Sequence, residues 1–247
     1  AFQLAEQRIR DLDLQDRVIL IHGDATKVQL PEKVDICVSE IFEAIGGAEG
    51  AASIINGARR FLKEEGIIIP RLSVTKIAAV TLPPEIAENT QFSKTSGHYV
   101  EKIFEQIGYR FDLRLCIKNF PVANIISSAD TFEYLDFEGP VEPEYVREVK
   151  LKINRSARLD GFLVWLHLDM GQGEVIDILE GDYSWFPVFL PVFHPGIDVS
   201  EGEVIEAVCS GALSENGVNP DYTIKGRLKT KDGSTIGFEY ESVHHKR

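Results

Sequence analysis

The sequence is poor in methionine, tryptophan, cysteine and positive charge, and each shortage removes a class of explanation. Its 247 residues include one Met, two Trp and three Cys. Cys37, Cys116 and Cys209 stand singly in apolar, strand-like runs. They lack the paired spacing of a disulfide framework or a zinc site and read as small buried hydrophobes. His22, His98, His167, His194, His244 and His245 show no ligand spacing either, so no cofactor metal is expected. No apolar run approaches the ~18 residues of a membrane helix, and AFQLAEQRIR has no signal-peptide core. A soluble, cytoplasmic protein is the expectation. With 26 basic against 39 acidic residues the formal net charge is -13, which disfavours a nucleic-acid backbone and favours a cationic partner. A glycine-rich dinucleotide loop is absent too: Gly171-Gln172-Gly173 lies in a hairpin context with no following helix.

What is present is apolar material in two textures. Hydrophobic residues make up 44%, enough for one large core or two modest ones. At the N-terminus Phe2, Ala5, Ile9 and Leu12 share one face of an amphipathic helix over 1–13. The runs in RVILIHGDA and KVDICVSE predict buried parallel strands at 17–22 and 34–39. EGAASIINGARRFL predicts a helix over 49–62, ended by Glu64-Glu65-Gly66 before a strand at 66–70. From Val74 onward the pattern changes to alternating or aromatic-rich strands separated by turns such as Glu201-Gly202, Asn216-Gly217 and Asp232-Gly233. One segment breaks that pattern: Val100, Phe104 and Ile107 recur at helical spacing in GHYVEKIFEQIG at 97–108. The expected architecture is α/β plus all-β, with a partial α/β layer over residues 1–70 and an antiparallel barrel or sandwich over 71–247.

The sharpest local feature is Ser39-Glu40 at a strand end, followed across Gly46-Gly47 by Glu49. Two carboxylates nine residues apart on a strand-end loop can form a pincer for a planar cation such as guanidinium. The same residues also suit a loop anion and an acidic residue at a helix N-terminus. Spacing alone leaves both open.

VDICVSE (34–40), Glu49, ARRFLKEEGIIIP (58–70), DYSWFPVFLPV (182–192) and SEGEVI (200–205) together resemble the protein arginine methyltransferases, in order and spacing, across essentially the whole chain. The resemblance implies the C-terminal part of a Rossmann-like methyltransferase domain followed by a β-barrel, with S-adenosyl-L-methionine as cofactor. It implies Glu40 and Glu49 as the acceptor-holding glutamates, with Glu43 between them solvated. Gly23, Asp24 and Ala25 then fall at the adenine, Ser39 at the methionine end of the cofactor, and Trp185 on the acceptor side. A segment at about 97–120 becomes a dimerisation arm, making a homodimer the expected assembly.

The sequence departs from the family at Tyr183 and Ser184, where the family has threonine and histidine. Its glycine-rich loop and ribose-binding acid are expected upstream of residue 1. The acceptor is expected to be an arginine-containing protein or a small amidino compound, methylated on nitrogen by the full-length protein. The chain by itself is expected to be inactive. The other class of reading is a non-catalytic barrel serving binding or dimerisation.

Overall fold

Residues 1–25, 27–88, 94–108 and 114–244 are described by a computed structural model. Helix α1 (Phe2–Asp11) has no side-chain N-cap and buries no residue, while Arg8 and Arg10 in its last turn complement the helix dipole. Strand β1 (Val34–Val38) is followed by the glutamate loop and by α2 (Ala51–Ala58), which tightens into a 3-10 turn over Arg59–Phe61. Strand β2 (Leu62–Ile69) returns parallel to β1, pairing Ile36 with Ile67 and Val38 with Ile69.

Two expectations fail here. Residues 17–22 form no strand, because a strand needs a ladder partner and, among the described residues, the sheet containing β1 and β2 has only those two members. The side chain of Ile19 is accordingly 75% exposed. Glu64-Glu65-Gly66 also ends no helix, since β2 starts four residues earlier than expected and carries all three within it.

After β2 the chain is almost wholly antiparallel. Its elements run β3 (Leu72–Val80), α3 (Pro84–Ala87), α4 (Lys94–Ile107), β4 (Leu115–Cys116), β5 (Ile125–Asp136) and β6 (Tyr145–Lys152). They continue through β7 (Ala157–Leu159), β8 (Gly161–Gly171), β9 (Glu174–Asp177), β10 (Val188–Leu190), β11 (Ile197–Val199), β12 (Val204–Leu213), β13 (Pro220–Lys229) and β14 (Thr235–Ser242). One sheet has the order β4-β10-β8-β3-β5 with β9 beside β8, and another β14-β13-β12-β6; β7 and β11 form a separate pair.

Among the described residues no hydrogen-bonded ring closes, so the expected barrel is realised as neighbouring sheets. The seam between β5 and β6 shows why. Only Ser127 and Ile153 form a bridge there. The Lys150 and Lys152 amides donate instead to the Asp130 carboxylate (2.9 Å) and the Ser128 hydroxyl (3.0 Å), so side chains replace ladder carbonyls.

One continuous core nevertheless unites the parts. Phe42, Ile45 and Ile55 from the α/β side belong to the same buried cluster as Phe132, Leu151, Phe162, Leu166 and Tyr222. Where β3 pairs with β5, Thr75 faces Glu133 but Lys76 faces Thr131, which makes Phe132 the extra residue of a β-bulge. Phe132 and Glu133, consecutive in the chain, are both buried as a result.

Helix α4 begins three residues before the expected insertion and buries nothing; Tyr99, Ile103 and Ile107 are exposed. Residues 109–113 of the expected arm lie outside the described residues, as do Thr26 and His245. Of the cysteines expected to be buried, Cys209 is, Cys37 is half-buried and Cys116 is exposed on the two-residue edge strand β4. Among the described residues no helix is long and apolar enough to cross a membrane, and no His, Cys, Asp and Glu cluster could hold a metal ion.

Candidate functional site: the glutamate loop over the β-sheet

The loop that joins β1 to α2 is built from alternating anchors and free carboxylates. Ser39, half-buried, extends the parallel ladder by donating its amide to the Ile69 carbonyl (2.9 Å), and Glu40 beyond it is exposed. Phe42 is buried edge-on against Phe137. Residues 44–48 are all buried, Glu49 emerges, and Gly50 adopts a left-handed φ of 85° to enter α2. Apolar side chains thus pin the loop at its middle and leave Glu40 and Glu49 outside.

The glycines expected only to span the loop have a sharper purpose. A Cβ on Gly46 would lie 2.1 Å from the Ser73 hydroxyl, and one on Gly47 would lie 2.6 Å from the Glu133 carboxyl. The backbone therefore rests directly on side chains of β3 and β5. Gly46 donates its amide to Thr75 Oγ1 (2.9 Å) and Gly47 donates to Glu133 Oε2 (2.7 Å). Around the rim, Trp185 Nε1 donates to the Phe42 carbonyl (2.7 Å) and Asn219 Nδ2 donates to the Ala48 carbonyl (2.8 Å).

The electrostatics tie the carboxylates together. Partial burial raises the Glu49 carboxyl above its ordinary value, and the charges of Glu43 and then Glu40 raise it further. Three acidic groups therefore share one neighbourhood. Glu43, expected to be solvated, is half-buried and ion-paired with Arg114 at 2.6 Å. Its neighbours in the chain, Phe42 and Ala44, are both buried, and Arg114 pairs with its carboxylate. Arg114→Gln leaves Glu43 unpaired and removes a positive charge that also holds down Glu133. The expected result is a Glu133 titration midpoint above the present value of about 7, checked by carboxyl carbon NMR.

Trp185 also borders a cavity of about 320 Å³, lined by Phe120, Tyr183, Phe186 and Pro187 together with Glu180 and Asp182. Lys118 already contacts this wall, 3.6 Å from Asp182 and above the Phe186 ring. Gly23, Asp24 and Ala25 form an exposed turn on another part of the α/β unit. There Asp24 pairs with Lys27 (3.0 Å), and Arg60, next to α2, donates to the Ala25 carbonyl (2.9 Å).

Sequence reasoning missed Thr75, Arg114, Glu133 and Tyr222. A signal existed for one of them. Glu133 shares strand parity with Leu135 and Phe137, which marks a carboxyl on the apolar face of TFEYLDF.

Residues 1–69 match the family model described as PRMT5 arginine-N-methyltransferase. Over 194 residues the chain is 23% identical to protein arginine N-methyltransferase 5 of Xenopus laevis, covering 76% of this chain and 30% of that protein. The chain thus spans under a third of that relative's length. By fold it is similar to Arabidopsis thaliana protein arginine methyltransferase 10, solved in an open conformation, with a TM-score of 0.75 and 18% identity over 96% of this chain and 78% of that one. It is also similar to the Trypanosoma brucei PRMT1 enzyme–prozyme heterotetrameric complex with AdoHcy, with a TM-score of 0.70 and 17% identity over 96% of this chain and 77% of that one. The loop that carries Glu40 falls inside the matched N-terminal segment, and the whole chain follows the same fold: it is similar to the protein arginine methyltransferases in sequence over residues 1–69 and in fold over nearly its full length.

Proposed function

We propose that the full-length protein transfers a methyl group from S-adenosyl-L-methionine to a nitrogen of a cationic acceptor, an arginine-containing protein being the class that fits best. The observation that carries this reading is the loop itself: Glu40 and Glu49 are exposed while every residue from Ala44 to Ala48 is buried. A guanidinium offers donors in a rigid planar fork, and carboxylates held on a fixed loop match it. The net charge of -13 and the acidic, aromatic cavity beside Trp185 favour the same kind of partner.

The chemistry of the donor set fits the cofactor. Ile36 and Val38 of β1 and Ile67 of β2 are exposed, giving an apolar surface for a flat ring, and Asp24 offers a carboxylate for an exocyclic amine. Gly23, Asp24, Ala25 and Ser39 are the residues that would hold it. When bound, S-adenosyl-L-methionine supplies an electrophilic methyl group. Glu40 and Glu49 draw positive charge onto the nitrogens they bind, which leaves the remaining nitrogen more nucleophilic and fixes its direction. Glu49, whose carboxyl partial burial and the neighbouring Glu43 and Glu40 raise above its ordinary value, is the base this reading assigns to the proton that nitrogen gives up.

In this reading residues 1–70 are the Rossmann-like part and 71–247 the barrel-type part of a cytoplasmic homodimer. The exposed Ile103 and Ile107 of α4 are then the side chains a second copy would cover.

Calorimetry with an arginine peptide tests the pincer. Glu40→Gln and Glu49→Gln are each expected to weaken binding on the order of tenfold or more, as loss of a charge-assisted contact implies. A lysine peptide should bind far more weakly than arginine. Equal binding of both peptides, or no effect of either substitution, would end the proposal.

A further inference from the structure

Among the described residues, Glu133 is the most deeply buried carboxyl that the proposed chemistry does not use. It is 2% exposed, on β5, directly beneath the glutamate loop. Its Oε2 accepts from the Gly47 amide at 2.7 Å and from the Thr75 hydroxyl at 3.4 Å, and its Oε1 accepts from the Tyr222 hydroxyl at 3.1 Å. Thr75 accepts from the Gly46 amide in turn. Two successive loop amides therefore end on one carboxyl, one directly and one through a hydroxyl. A buried charged group is costly, and an apolar residue would fill the same space more cheaply. Its retention at this point calls for a reason in the loop above it.

We propose that Glu133 is the positioning residue of the Glu40–Glu49 loop, fixing where the two exposed carboxylates point by holding the Gly46 and Gly47 amides between them. Gly47 lies between the two carboxylates, only two residues before Glu49, and its missing side chain is what lets the backbone reach the carboxyl. The β-bulge at Phe132 turns that carboxyl up beside the loop. Tyr222 braces it from β13, Tyr145 of β6 also faces it, and Arg114 is the cation closest in effect. Without an acceptor at this position the Gly47 amide is left buried and unpaired, and the loop must lift to hydrate it.

The inference rests on the pincer reading for its functional meaning, but its test needs no ligand. Backbone amide exchange at 46 and 47 reads the loop directly. Trp185, whose Nε1 is bonded to Phe42 of the same loop, reads it by emission in a Trp165→Phe background.

Glu133→Met, similar in volume but with no comparable acceptor, is expected to lower protection of Gly46 and Gly47 on the order of tenfold or more and to shift Trp185 emission, as loss of a buried hydrogen bond implies. Core strands should stay protected. Glu133→Gln keeps an acceptor and should restore both readouts. Should Glu133→Met fail to fold, Thr75→Val gives the parallel test, with lost protection confined to Gly46. Unchanged loop protection in Glu133→Met and Thr75→Val overturns the proposal. So does equal loss across the core in both Glu133 variants, which would make the residue merely structural. An arginine peptide that fails to bind wild type while the loop responds as stated removes the pincer and leaves the anchor standing.

Discussion

Gly46→Ala is expected to destabilise the protein on the order of 2–3 kcal/mol, in the upper part of the overpacking range, and Ser73→Ala is expected to restore much of that loss. The added methyl would sit 2.1 Å from Ser73 Oγ but 3.4 Å from Ser73 Cβ, so a single oxygen makes the collision. That oxygen is buried and has no hydrogen-bond partner among the described residues, so removing it costs little. Leu166 at 3.3 Å limits the rescue, being a buried core side chain with little room to move. Urea unfolding of the two single variants and the double variant closes a thermodynamic cycle. Additive effects would show that the loop does not rest on Ser73 in the way described.

A second large effect comes from Glu133 and depends on pH. Burial raises this carboxyl from 4.5 to about 7, against the opposing hydrogen bonds from Gly47, Tyr222 and Thr75. The folded state therefore keeps the proton over a range where the unfolded chain has lost it. The stabilisation this gives is complete below about pH 4.5 and is lost as pH rises through about 7. It amounts to about 3 kcal/mol across that window.

Asp169, Asp177 and Glu206 act in the opposite sense, since their ion-pair and hydrogen-bond partners hold them below the ordinary carboxylate range. Stability from these groups is lost as pH falls. The Glu133 contribution is therefore read as a difference: wild type should lose stability relative to Glu133→Gln between about pH 4.5 and 7. Parallel stability profiles for the two proteins would show that Glu133 is not buried in its acid form.

Strong local periodicity made the larger elements legible. The apolar spacing of EGAASIINGARRFL and the bounded run of KVDICVSE encode α2 and β1 within a few residues of where they lie, because each element's apolar set is nearly complete in its own segment. The alternating texture after Val74 likewise announced antiparallel sheets. The run at 17–22 misled for the same reason: it is apolar enough for a strand, but a strand exists only with a neighbour. Whether the sheets close was also beyond local pattern, since it turns on Ser128 and Asp130 taking amides that a ladder would otherwise use.

At the site, the sequence by itself determined which carboxylates the loop carries. Glu40 and Glu49 are set by a strand end, a pair of glycines and a helix start, all within a dozen residues. What only the tertiary structure decided is what holds them. Thr75, Arg114, Glu133 and Tyr222 lie between 29 and 89 residues from their partners in the chain. No local pattern carries a contact of that range. It depends on a one-residue bulge that sets the register of β5 on β3, and register is settled by the packing of a whole buried face. The chain thus states locally which carboxylates are exposed, and only the folded sheet beneath them settles where they point.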